Sequence, residues 1–207
     1  MLSYLLIKPG ATHLLPQLSD SLAEMHIEAK DDASKKCIDL VREGIRVLRG
    51  EESKIGINTR LLYVGTGVVS DELFEKLYPS PPVNEGGERL RKTMLNQPYG
   101  IIIIDTECSV RDVLSAIKGK FLTEDPNERL GLRGLMKEKY KIIGHEMQIP
   151  EEEKKPGLGE NFIHTPDTEQ EVRELYSYMV SLGNGEEKME LYNSGIHLRQ
   201  GNLEKNL

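Results

Sequence analysis

The chain has little cysteine, no block of basic residues and no long apolar run, and each shortage removes a class of protein. Two cysteines among 207 residues, Cys37 and Cys108, cannot build a disulfide framework or a four-ligand zinc site. The longest apolar stretches, Tyr4-Leu5-Leu6-Ile7 and Ile101 to Ile104, fall far short of the roughly 20 residues that cross a bilayer, so no membrane role is expected. With 27 basic against 34 acidic side chains the formal charge is −7, and without a basic patch nucleic acid is not expected as a partner. Met1-Leu2-Ser3-Tyr4 offers no basic side chain ahead of the first apolar run, so a secretory leader is not expected and the chain reads as cytoplasmic. What remains, 38% hydrophobic and 29% charged residues, is the composition of an ordered globular domain.

Hydrophobic patterning predicts alternating strands and helices. Leu2 to Lys8 reads as a strand closed by Pro9-Gly10. Leu14 to His26 and Asp31 to Arg49 follow, the second with Ala33, Cys37, Leu40, Val41, Ile45 and Leu48 at helical spacing and Gly50 at the C-cap position. Arg60 to Val64 reads as a second strand. A helix capped by Ser70 or Asp71 covers Glu72 to Tyr78, and Glu85 to Leu95 forms another. The uniformly apolar Ile101–Ile104 predicts a central strand covered on both faces. Ser109 opens a helix over Val110 to Lys118, Phe121 to Gly134 reads as turn-rich, and Tyr140 to Ile149 as an irregular strand. Asn161-Phe162-Ile163 makes a short strand ending at His164. Thr168 and Glu171 form a capping box on a helix with Val172, Leu175, Tyr176, Met179 and Val180 on its apolar face.

This order predicts an α/β (α+β) fold, a four-stranded antiparallel sheet covered by helices in a ferredoxin-like split βαβ arrangement. Residues 1–182 read as one domain with longer segments near 25–57 and 136–157, expected at the surface, and residues 183–207 as a polar tail.

Three local patterns carry chemistry. Gly65-Thr66-Gly67 followed by Ser70 resembles a dinucleotide-binding strand-to-helix turn, although its third glycine is missing and a plain tight turn explains it as well. Lys8 sits where a buried strand ends, a rigid rim suited to a phosphate point charge. His164 has the same placement on another strand and precedes a capped helix, so one ring nitrogen can be held by a carboxylate while the other faces an electrophile. Together with Arg129 and Arg133 these residues form a sufficient kit for phosphoryl transfer, which needs cations around spread negative charge and an in-line nucleophile.

The islands Leu5-Leu6-Ile7-Lys8-Pro9, Val68 to Tyr78, Met94 to Gly100, Thr123-Glu124-Asp125-Pro126 through Arg133-Gly134, and Gly159-Glu160-Asn161-Phe162-Ile163-His164 with Asp167 resemble, in order, segments of the nucleoside diphosphate kinases. The resemblance spans about half of the chain. It implies a phosphohistidine at His164 and ping-pong transfer from a nucleoside triphosphate such as ATP to a nucleoside diphosphate, with Mg²⁺ bound through the nucleotide phosphates. It further implies phosphate contacts from Lys8, Tyr78, Thr123 and Arg133, with Lys118 or Lys120 as a further cation, a sugar contact from Asn161, and assembly as a homo-oligomer.

The sequence departs from the family pattern at Gly10-Ala11, where aspartate-glycine is usual, and at Thr165-Pro166, where glycine-serine is usual. The glutamate expected to orient the histidine falls at Leu175, leaving Glu174 or Glu171 as substitutes. These departures keep two other readings open: a nucleotide-binding or interaction module without catalysis on the same fold, and a dinucleotide-dependent oxidoreductase using the glycine turn.

Overall fold

The structure, a computed structural model, describes residues 1–9, 11–29, 31–51, 61–79, 85–109, 115–119, 131–140 and 163–183. Four strands, β1 (Leu2–Ile7), β2 (Leu61–Val68), β3 (Pro98–Asp105) and β4 (Ile163–His164), form one antiparallel sheet in the order β2-β3-β1-β4. Among the described residues seven α-helices complete the α+β fold: α1 (Leu15–Glu28), α2 (Asp32–Leu48), α3 (Asp71–Leu77), α4 (Glu85–Met94), α5 (Ser115–Lys118), α6 (Leu132–Tyr140) and α7 (Glu169–Gly183).

β1 and β3 are central, and strand periodicity divides their side chains between two cores. Leu5, Ile7, Ile102 and Ile104 face one way, against Leu18 and Leu22 of α1, Cys37, Val41 and Ile45 of α2, and Leu132 and Met136 of α6. Tyr4, Leu6, Ile101 and Ile103 face the other way, against Leu73, Phe74 and Leu77 of α3 and Val172, Leu175 and Tyr176 of α7. The isoleucine run therefore feeds both cores, each fully buried side chain contributing about 1.5–3 kcal/mol.

Caps place the helices. Asp31 accepts the Ser34 amide at 2.7 Å to start α2, and Ser70 accepts the Leu73 amide at 3.1 Å to start α3. The long segment before β2 is not a surface embellishment: α2 lies within it and supplies much of one core. Its close seating depends on Gly44, where a Cβ would stand 2.5 Å from Ile102 Cγ2.

Several expectations are corrected. β2 runs on to Val68, so Gly65 and Gly67 lie inside the strand, opposite Ile101 and Tyr99, and not in a strand-to-helix turn. The Tyr63 hydroxyl occupies the space over Gly65, only 2.7 Å from where a Cβ would stand, so that glycine makes room for a tyrosine. A dinucleotide turn is absent at this place. Leu132-Arg133-Gly134 begins a helix instead of closing a turn, because Leu132 and Met136, one turn apart, both bury against α1. Tyr140 ends that helix, and the strand expected over 141–149 lies outside the described residues, as do 110–114, 121–130, 161–162 and the tail from 184.

Candidate functional site

The two central facts of the site come from strand ends. Lys8 follows β1 in a turn closed by the Ala11 amide on the Lys8 carbonyl at 3.0 Å. His164 ends β4, opposite Leu6. Tyr4, Leu6 and Lys8 alternate onto one face of β1, and His164 joins that face because directly paired residues point the same way. Lys8 is 4% and His164 7% exposed.

Tyr78, at the C-terminal end of α3, packs its ring 5.1 Å from the imidazole, and the Lys8 ammonium lies over it. The Tyr78 hydroxyl is buried with no hydrogen-bond partner among the described residues, and burial pushes its pKa up, so it remains a donor. Arg133, in the first turn of α6 and buried, donates from Nη2 to the Ile163 carbonyl at 2.8 Å and so ties α6 to the strand that carries the histidine. Lys118 at the end of α5 stands 3.6 Å from Asp167.

The imidazole is held by Glu171. Its Nε2 lies 3.0 Å from Glu171 Oε1. That carboxylate is itself fixed at both oxygens: Tyr4 donates its hydroxyl proton to Oε1 at 2.6 Å, and the Asp167 amide donates to Oε2 at 2.9 Å. The Thr168 hydroxyl accepts the Glu171 amide at 3.2 Å, as a capping residue should. The carboxylate turns to histidine and tyrosine instead of completing the capping box.

Electrostatics follow from burial. Lys8 falls to about 7, through desolvation first and then repulsion from Arg133 and Lys118. Desolvation lowers Arg133 to about 10, and it lowers Lys118 as well, with Arg133 adding repulsion. Burial, with help from Lys8 and Lys118, outweighs the pull of Glu171 and holds His164 below its ordinary value. Burial alone would raise Glu171, yet hydrogen bonds from His164, Tyr4 and the Asp167 amide bring it below the usual carboxylate range. Near neutral pH the ring is thus neutral, with Nε2–H given to a carboxylate and the Nδ1 lone pair available. Among the described residues no carboxylate lies within ion-pair distance of Lys8.

The sequence-predicted residues Lys8, Tyr78, Arg133, His164 and Glu171 therefore meet in one place, with Lys118 at its edge. Glu174 is elsewhere: it accepts from Gln170 at 2.8 Å on the exposed side of α7. Thr123 and Asn161, and with them Lys120 and Arg129, lie outside the described residues. Tyr4 escaped the sequence reading, although its strand parity with Lys8 was there to find it. The arrangement offers three cations, a phenol donor and an oriented neutral imidazole, a set suited to an anion with an electrophilic centre. Among the described residues no group of three or more histidine, cysteine or acidic side chains is placed to hold a metal ion. Comparison with known proteins finds no matching family model, no matching curated sequence and no matching solved structure.

Proposed function

We propose that the chain transfers a phosphoryl group between nucleoside phosphates through His164, in the manner of the nucleoside diphosphate kinases it resembles. The observation that carries this reading is the imidazole itself: Nε2 is held on Glu171 at 3.0 Å, with Arg133 and Lys118 near enough to Lys8 to repel its charge. Lys8 is 4% exposed and, among the described residues, has no carboxylate within ion-pair distance; such burial is costly unless an anion joins it, and a polyphosphate meets that need. The unpartnered Tyr78 hydroxyl has a phosphate oxygen as its natural acceptor. The strand order β2-β3-β1-β4 supports a ferredoxin-like framework.

In the first half-reaction His164 Nδ1 attacks the terminal phosphorus of a nucleoside triphosphate. The N–P bond forms as the P–O bond to the β-phosphate breaks, and the electron pair leaves with the nucleoside diphosphate. Glu171 steadies the positive charge that develops on the ring, and Lys8 and Arg133 steady the transferring oxygens. In the second half a terminal phosphate oxygen of another nucleoside diphosphate takes the phosphoryl group and restores the imidazole. The cationic lining suits phosphates and not a bare metal, so Mg²⁺ enters with ATP as part of the substrate. A homo-oligomeric, cytoplasmic enzyme belongs to the same proposal.

Incubation with γ-labelled ATP and Mg²⁺ tests it. A label on the protein that is acid-labile and base-stable, absent in His164→Ala and discharged by added nucleoside diphosphate, is the expected result. Nucleotide binding without a label would mark a non-catalytic binding module and overturn the transfer reaction.

A further inference from the structure

We propose that Tyr4 is a positioning residue that selects which nitrogen of His164 acts, by clamping the Glu171 carboxylate from the floor of the sheet. Glu171 Oε1 receives two donors at once, Tyr4 Oη at 2.6 Å and His164 Nε2 at 3.0 Å. With Oε2 held by the Asp167 amide, the carboxylate plane has no freedom left, and the imidazole orientation follows from it. The clamp comes from a part of the chain remote from α7, because the Tyr4 hydroxyl and Glu171 are 167 residues apart. The Tyr4 ring is 1% exposed and 5.9 Å from the imidazole, so it also walls one side of the histidine.

The clamp has a definite chemical effect. A carboxylate clamped by the phenol keeps Oε1 in line with Nε2, and because an ionised carboxylate can only accept, the ring hydrogen sits on that nitrogen. Nδ1 therefore keeps its lone pair. The Tyr4 proton does not leave, since burial and the neighbouring Glu171 charge both push the phenol pKa well above its ordinary value. Tyr4 acts through Glu171 and does not itself reach the reacting phosphorus in this arrangement.

The inference rests on the phosphoryl-transfer reading for its kinetic consequence, but its structural content can be tested apart from it. Tyr4→Phe keeps the buried ring and removes only the hydroxyl. Tyr176→Phe, on α7, removes a buried hydroxyl that has no hydrogen-bond partner and serves as the control. Nitrogen chemical shifts of the His164 ring report the tautomer directly: the wild type and Tyr176→Phe should show protonated Nε2 and bare Nδ1, and Tyr4→Phe a mixture. In the labelling assay Tyr4→Phe should slow phosphoryl transfer about ten- to hundredfold with nucleotide KM unchanged. A folded Tyr4→Phe protein whose ring shifts match the wild type overturns the clamp. A wild type that takes no label, with ring shifts that still respond to Tyr4→Phe, leaves the clamp standing and removes phosphoryl transfer.

Discussion

The Lys8 ammonium lies 5.3 Å from the centre of the Tyr78 ring, so among the described residues this buried cation is met by an aromatic face and not by a carboxylate. The unfolded chain keeps that amine protonated to about 10.5, the fold only to about 7. Between those values the unfolded state binds the extra proton, so folding stability should rise with pH from 7 toward 10.5 and be lowest below 7, where both states are charged. The full contribution is roughly 5 kcal/mol. Denaturant titrations across pH 6–10 should show this slope, and Lys8→Met should flatten it and raise stability at pH 6.

Nucleotide binding should reverse that shift. Phosphate oxygens beside Lys8 favour the ammonium, so binding at pH 8 should take up close to one proton and weaken as pH rises further. Calorimetric titration of ADP in buffers of different ionisation enthalpy measures the uptake. An unchanged heat in every buffer would show that the phosphates do not reach Lys8.

Two glutamates one helical turn apart should behave differently. Glu171→Gln should slow labelling of His164 about ten- to hundredfold, since a neutral amide replaces the carboxylate that balances the ring. Glu174→Gln should leave it within about twofold of the wild type, because its partner is Gln170. The wild-type rate should fall through an acid limb below 6.5, where the depressed His164 pKa lies, because a protonated imidazole has no lone pair to give.

Arg133 serves the scaffold as well as the charge. Arg133→Met removes the donor to the Ile163 carbonyl and should lower stability by about 1–3 kcal/mol, together with loss of labelling. Urea unfolding separates the two effects. Arg133→Lys should recover less than half of the lost stability, since an ammonium cannot reproduce the planar reach of the guanidinium.

Much of this fold was legible in the sequence because its local rules agree. The Ser70 cap, the α2 stripe and the Ile101–Ile104 run each pointed to the element observed. Failures arose where a tertiary neighbour decided. The glycines of β2 read as a turn because nothing in the sequence shows Tyr63 and Tyr99 covering them. Leu132 to Gly134 read as loop because the burial of Leu132 and Met136 depends on α1. In the site, Lys8 and His164 were visible at strand ends, Arg133 as a charge in a turn-rich stretch, and Tyr78 through the family resemblance. Choosing Glu171 over Glu174 required knowing which side of α7 faces the sheet, and Tyr4 was hidden as an apolar strand residue.

Gly44 offers a test of the core independent of the site. Helix propensity alone favours Gly44→Ala by about 1 kcal/mol, but the added methyl meets the Ile102 side chain at 2.5 Å in a central strand. That side chain is fully buried and cannot retreat, so the substitution should destabilise by about 1–3 kcal/mol. Thermal unfolding at pH 8 decides the sign.

Among the described residues β4 pairs with β1 at two positions, Leu6 with His164 and Ile7 with Ile163. The candidate site is therefore a matter of odd and even. Sliding β4 by one place would carry the imidazole into the greasy layer against α1 and α2 and deliver isoleucine to the cations. The guanidinium of Arg133, gripping the Ile163 carbonyl at 2.8 Å, acts as a pin that keeps count.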